Sequence, residues 1–134
     1  MEASSLRRTA TIVVLTAIAV SIVHYLDNYT AYEEYPRSDT LPNPSAGLIG
    51  FAWFFFTAFG LAGLYFLRRE EDRIAALCLA VYSGSGLVGI LHYSVEGTGA
   101  WPWWRHAHVI TDIILGFAVL ACAIALSRVR TRPA

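Results

Sequence analysis

The sequence predicts an all-α integral membrane protein, a four-helix bundle running up-down-up-down with both termini on the cytoplasmic side. Three observations carry that reading. The 134 residues are 56% hydrophobic and only 15% charged, with a mean hydropathy of +0.50, which is too apolar for an ordinary soluble domain. Four apolar runs occupy residues 9–27, 46–67, 74–93 and 106–126. Each has the roughly 20 residues that a helix needs to cross a hydrocarbon core about 30 Å thick. The arginines are also sorted by side. Arg7, Arg8, Arg68, Arg69, Arg73, Arg128, Arg130 and Arg132 flank one set of run ends, and only Arg37 and Arg105 flank the other. Positive charge is retained on the cytoplasmic face, so the chain is expected to be a multi-pass protein of the cell membrane.

Each span has its own justification. Lipid offers no partner to backbone polar groups, so only helices or closed barrels span it, and these runs lack the alternation of barrel strands. Arg7-Arg8 followed by an apolar run and Ala17-Ile18-Ala19 also fits a cleaved signal peptide. The apolar run continues through Val23, however, and is read as a retained first span. Asn43 before Pro44 reads as a helix N-cap with proline at the first helical position. The charged stretch Arg68 to Arg73 reads as a tight turn that makes spans 2 and 3 antiparallel neighbours. Residues 28–45 and 94–105 form the outer loops. Tyr29, Tyr32, Tyr35, Trp101, Trp103 and Trp104 sit where an outer aromatic belt belongs. The chain is one domain, 1–134. The balanced charge gives no footprint for nucleic acid, and the partner expected is the lipid bilayer.

The placement of ionisable residues suggests chemistry. All four histidines, His24, His92, His106 and His108, fall at the outer ends of spans 1, 3 and 4. Carboxylates accompany them at helical spacing: Asp27 three residues after His24, Glu96 four after His92, and Asp112 four after His108. Residues three or four apart share a helix face. Asp112 lies about two turns inside span 4 among Val109, Ile110, Ile113, Ile114 and Leu115. An ionisable residue costs about 2.5–3.5 kcal/mol at a helix centre on insertion scales, and usually faces the bundle interior. On span 3, Cys78, Tyr82, Ser85, Gly89, His92 and Glu96 trace one seam. On span 4, His108, Asp112, Leu115, Val119 and Cys122 trace another. Placing His92 level with His108 in antiparallel spans also places Cys78 level with Cys122. Small residues from Ser83 to Gly89 would let these two backbones approach. Ser21, His24, Asp27 and Asn28 form the matching stripe on span 1. Span 2 contributes no ionisable group, and its Phe51–Phe56 stretch reads as an aromatic wall.

Imidazoles with carboxylates at one level suit a transition metal such as zinc, iron or copper. His24, His92 and His108 are the expected ligands, and Asp112 a ligand or the orienting partner of one. Asp27, Glu96 and His106 complete the candidate set. Such a centre could serve an enzyme acting on a lipid-soluble substrate at the extracytoplasmic side. A metal-free enzyme using Asp112 and Glu96 in acid–base chemistry is the alternative, with the span 2 aromatics shaping the pocket. Two histidines at one level also raise haem b. A proton- or metal-coupled transporter is a fourth reading, and with so few helices it would require a homodimer. The two cysteines are too few for a disulfide scaffold and read as small residues at a tight crossing.

Overall fold

The computed structural model describes residues 2–129. Its helices are α1 (Ala3–Thr30), α2 (Ala46–Arg68), α3 (Asp72–Leu87) and α4 (Trp103–Ser127). A 3-10 helix, Val88–Ser94, prolongs α3, and short 3-10 turns occur at Tyr32–Glu34 and Thr98–Ala100. No strand occurs among the described residues. All four helical segments, counting α3 with its extension, are long and apolar enough to cross a bilayer. Consecutive helices pack side by side, and α1 closes the ring against α4. Their outward surface is apolar: Ile12, Leu26, Phe51, Phe54, Leu77, Ile114 and Phe117 are all exposed. So large an exposed apolar surface is what a lipid environment accommodates and water does not. Arg130 and Arg132, part of the sequence argument for orientation, lie outside the described residues.

The helices run longer than the apolar stretches because their polar ends are tied down. At the arginine-rich end, Arg7 grips Asp72 with two hydrogen bonds of 2.7 and 2.8 Å, which joins the start of α1 to the start of α3. Asn43 is not the N-cap of α2. Ser45 is, its hydroxyl accepting the Leu48 N–H. Asn43 instead exchanges two hydrogen bonds with the Ser38 backbone and closes a turn in the loop. The proline signal pointed two residues early because the Asn side chain found a loop partner.

The core of α1 is a seam of small and apolar residues, Leu6, Ala10, Val14, Ala17 and Ser21, leading to His24 and Asn28. Spacings of three and four residues keep such a seam facing its neighbours along the whole helix. On α4 the buried stripe is Arg105, Val109, Asp112, Gly116, Val119, Cys122, Ala123 and Leu126. This differs from the stripe expected from sequence. Asp112, Val119 and Cys122 are shared, but Leu115 is only partly buried, and Val109 and Gly116 are central because α3 presses on that side. A Cβ on Gly86 would meet the Asp112 carbonyl oxygen at 2.2 Å, and one on Gly116 would meet Ser83 O and Leu87 N at 3.0 Å. The α3–α4 crossing is therefore backbone against backbone. Gly60 and Gly63 of α2 receive the Tyr82 ring and the Leu79 side chain of α3 in the same way. Cys78 lies beside Gly63, and Cys122 belongs to the core; both are free thiols.

The 3-10 extension has a functional consequence. Runs of this geometry longer than three or four residues are uncommon; this one follows Gly84 and Gly86 and itself contains Gly89, all weak helix formers. The change of pitch at Val88 takes the chain off the α-helical face, so His92 and Glu96 no longer share one.

Candidate functional site

The site lies at the end of the bundle away from the Arg7–Asp72 clamp. His24 is its centre, 1% exposed. Its Nδ1 stands 2.7 Å from Asp112 Oδ2. A carboxylate only accepts, so this nitrogen carries the proton and donates. Asp112 is itself 2% exposed, and the pair resolves the question its sequence position raised: a buried carboxylate there needs a partner, and α1 supplies it.

The His24 tautomer that donates from Nδ1 has its lone pair at Nε2. That atom lies 3.4 Å from His92 Nε2. His92 Nε2 is also 3.2 Å from the Asn28 amide nitrogen, which donates to it. The ring centroid of His24 is 5.5 Å from that of His92 and 5.6 Å from that of His108. His108 is the least satisfied member. Both its ring nitrogens are buried without a hydrogen-bond partner among the described residues. Its Nε2 comes within 3.3 Å of Asp27 Oδ2 but is not aligned to donate.

Asp27 sits in a second, charged layer. Arg105 reaches it from α4 through Nε, 2.9 Å from Oδ2, and a terminal nitrogen bridges to Glu34 at 2.9 Å. The Tyr35 phenol donates to the same carboxylate. Burial, and then the Asp27 hydrogen bond, push the Tyr35 phenol well above its usual range, so it stays a donor. The Arg105 guanidinium lies over the rings of Tyr35 and Trp104, 4.8 and 5.1 Å from their centroids. Arg105 thereby fastens the loop that follows α1 to the bundle. Replacing it with Ala leaves Asp27 without its cation and is expected to cost about 2–3 kcal/mol, below the figure for a fully buried pair because Asp27 is partly exposed. Thermal unfolding in detergent measures this, and Lys should restore little of it, since it lacks the planar fork.

The structure brings together His24, His92, His108, Asp112 and Asp27. It leaves two of the seven candidates apart. Glu96 is exposed beyond the 3-10 helix. His106 stacks on Tyr93, whose hydroxyl is 3.1 Å from His106 Nδ1. Sequence reasoning put Asn28 on the matching stripe of span 1 but missed Arg105 and Tyr35 as parts of the site. Arg105 was read as an interfacial charge, although it lies seven residues before Asp112, two turns along the same face.

Beside His24 and His92 lies a cavity of about 670 Å³. Tyr25 and Asn28 of α1, Ile49 and Ala52 of α2, and Val88 and Leu91 of the 3-10 extension form its walls. The loop from Tyr32 to Pro44 roofs it. Among the described residues, no group of three or more His, Cys, Asp or Glu side chains stands ready-made to hold a metal ion. Compared with family models, curated proteins and solved structures, the chain matches none.

Proposed function

We propose that this membrane protein holds a transition-metal ion between His24 and His92, with His108 turning in as a third ligand, and uses it on a lipid-soluble substrate at the extracytoplasmic side. One observation carries the reading. Two imidazole nitrogens, His24 Nε2 and His92 Nε2, face one another at 3.4 Å, and with Nδ1 of His24 donating to Asp112 and Asn28 donating to His92 Nε2, both are lone-pair nitrogens. Such lone pairs repel, and a cation or a proton between them removes the repulsion. Two nitrogens bound to one tetrahedral zinc at 2.0–2.1 Å stand roughly 3.3 Å apart, close to the separation found.

The surroundings support a metal. A ligand histidine characteristically donates its other ring N–H to a carboxylate, which fixes tautomer and orientation, and His24 does this with Asp112. His108 adds two buried, unpartnered ring nitrogens within reach of His24. Rings with centroids 5.5 Å apart and edges converging suit one ion better than an intervening haem macrocycle. The core at the arginine-rich end is Leu6, Ala10, Val14, Leu79, Val119 and Leu126. Among the described residues, that end of the core is apolar while the histidines lie at the other end, which favours a one-sided site over transport.

The test is elemental analysis of protein purified in detergent without an affinity tag. About one zinc, iron or copper per chain is expected, falling at least tenfold in His92→Ala with the fold intact. Metal retained in full by that variant overturns the assignment.

The metal-free alternative has an observation of its own. His24, backed by a buried carboxylate and lining a cavity, is arranged as a general base. On this reading, the proton replaces the metal between the two rings. It is distinguished by activity or ligand binding that survives exhaustive chelation.

A further inference from the structure

The cavity beside the histidines has features that specify what enters it. We infer that it binds a long apolar molecule with one uncharged oxygen-bearing head, of the alcohol or ketone class, admitted sideways from the lipid between α2 and the 3-10 extension of α3. This rests on the metal reading for what happens at the inner wall, but not for binding itself.

The route is visible in the exposures. Leu48, Val88 and Leu91 line the cavity, yet are 53%, 43% and 55% exposed. Wall residues that are also exposed mark a mouth, and these three are apolar and lie on the flank of the bundle. Below them, α2 and α3 touch closely, with Phe56 against Gly84 and the Tyr82 ring against Gly60. Above them the loop closes the top, its Tyr32 hydroxyl donating to the Pro44 carbonyl. A lateral mouth under a roof suits a molecule partitioned in lipid.

The head group follows from the charge balance. The inner end offers His24, His92 and the Asn28 amide, all of which can hydrogen-bond an oxygen. Tyr35 is committed to Asp27. Among the described residues, the charged residue on the lining is Arg37, paired with Glu33 at 2.8 Å on an exposed part of the loop. With no metal bound, an ionic head would be buried without a counter-charge, which is expensive, whereas a hydroxyl or carbonyl would find partners. The volume lies in the 300–1,000 Å³ range of small-molecule sites.

The experiment uses the full chain in phosphatidylcholine nanodiscs with two photoreactive probes, a diazirine-bearing hexadecan-1-ol and the matching hexadecanoic acid. Labelled residues are mapped by mass spectrometry. On chelated, metal-free protein the alcohol is expected to label the 48–52 and 88–95 segments at least fivefold more than the acid does. Ala52→Trp, which fills the cavity, and Leu91→Trp, which narrows the mouth from an exposed position, should each cut that labelling at least fivefold while metal content stays unchanged. Equal labelling by the acid, labelling equal to that of the outward faces of α1 and α4, or no response to either variant overturns the inference. A metal-free protein whose labelling still collapses in the two variants would refute the metal reading and leave this one standing.

Discussion

Gly86→Leu is expected to abolish the folded protein, the largest effect of any single substitution considered. The Cβ of any residue there would stand 2.2 Å from the Asp112 carbonyl oxygen, 3.0 Å from its carbon and 3.1 Å from the Gly116 Cα. All three are backbone atoms, which cannot rotate aside as a side chain can. α3 and α4 must therefore separate, and with them the close packing on which association of helices in lipid depends. Gly86→Ala alone should cost about 3 kcal/mol, the upper end for overpacking in a well-packed core. Leu adds three further carbons to the same gap and exceeds what a marginally stable domain tolerates. Monodisperse yield and thermal unfolding in detergent are the measurements. Gly99→Ala is the control, since nothing lies within 4 Å of a Cβ there and no change is expected. A Gly86→Leu protein that remains monodisperse with an unaltered melting temperature would show that the two helices cross farther apart.

The second large effect concerns Asp112. Asp112→Asn keeps the shape and a hydrogen-bond acceptor for His24 Nδ1 but removes the charge that favours a cation-binding imidazole. Loss of such an orienting partner typically lowers metal affinity 10–100-fold, and that is the expected shift, with a melting temperature close to that of the unaltered protein. Asp112→Ala goes further. It leaves His24 Nδ1 buried at 1% exposure without an acceptor and opens a gap at the α1–α4 contact. About 2–4 kcal/mol of stability should be lost, combining the unsatisfied donor with the missing volume. Metal titration of both variants, with thermal unfolding alongside, separates the two effects. Unchanged affinity in Asp112→Asn would remove Asp112 from the site and reduce its role to packing.

The parts of this structure that follow local rules were legible in the sequence. Four apolar runs of sufficient length became four helices. The glycines and serines from Ser83 to Gly89 announced a close crossing, and Gly86 set between Asp112 and Gly116 realises it. His24 and Asp112 were both singled out because an ionisable group among apolar residues needs a partner. That they are partners of each other was not legible, since the pairing depends on the rotation of α1 against α4. Periodicity also failed at Val88, where the α-helix tightens to 3-10, and so Glu96 was placed on a face that His92 does not share. Arg105 escaped notice because an arginine beside tryptophans at a membrane boundary looks solvated. Its burial comes from the loop, which folds Glu34 and Tyr35 back onto it. The cavity was hardest to foresee, because α1, the loop, α2 and the 3-10 extension line it together, and no single segment encodes it.

The most direct measurement of the metal reading is X-ray absorption at the metal edge, on protein reconstituted with zinc and freed of excess ion. The expected spectrum has a nitrogen or oxygen shell at about 2.0–2.1 Å with outer-shell imidazole scattering from two or three histidines, reduced in His92→Ala. A sulfur shell at about 2.3 Å would place the ion at Cys78 or Cys122 instead. A protein that retains no zinc after reconstitution would contradict the metal centre altogether and leave the facing imidazoles joined by a proton.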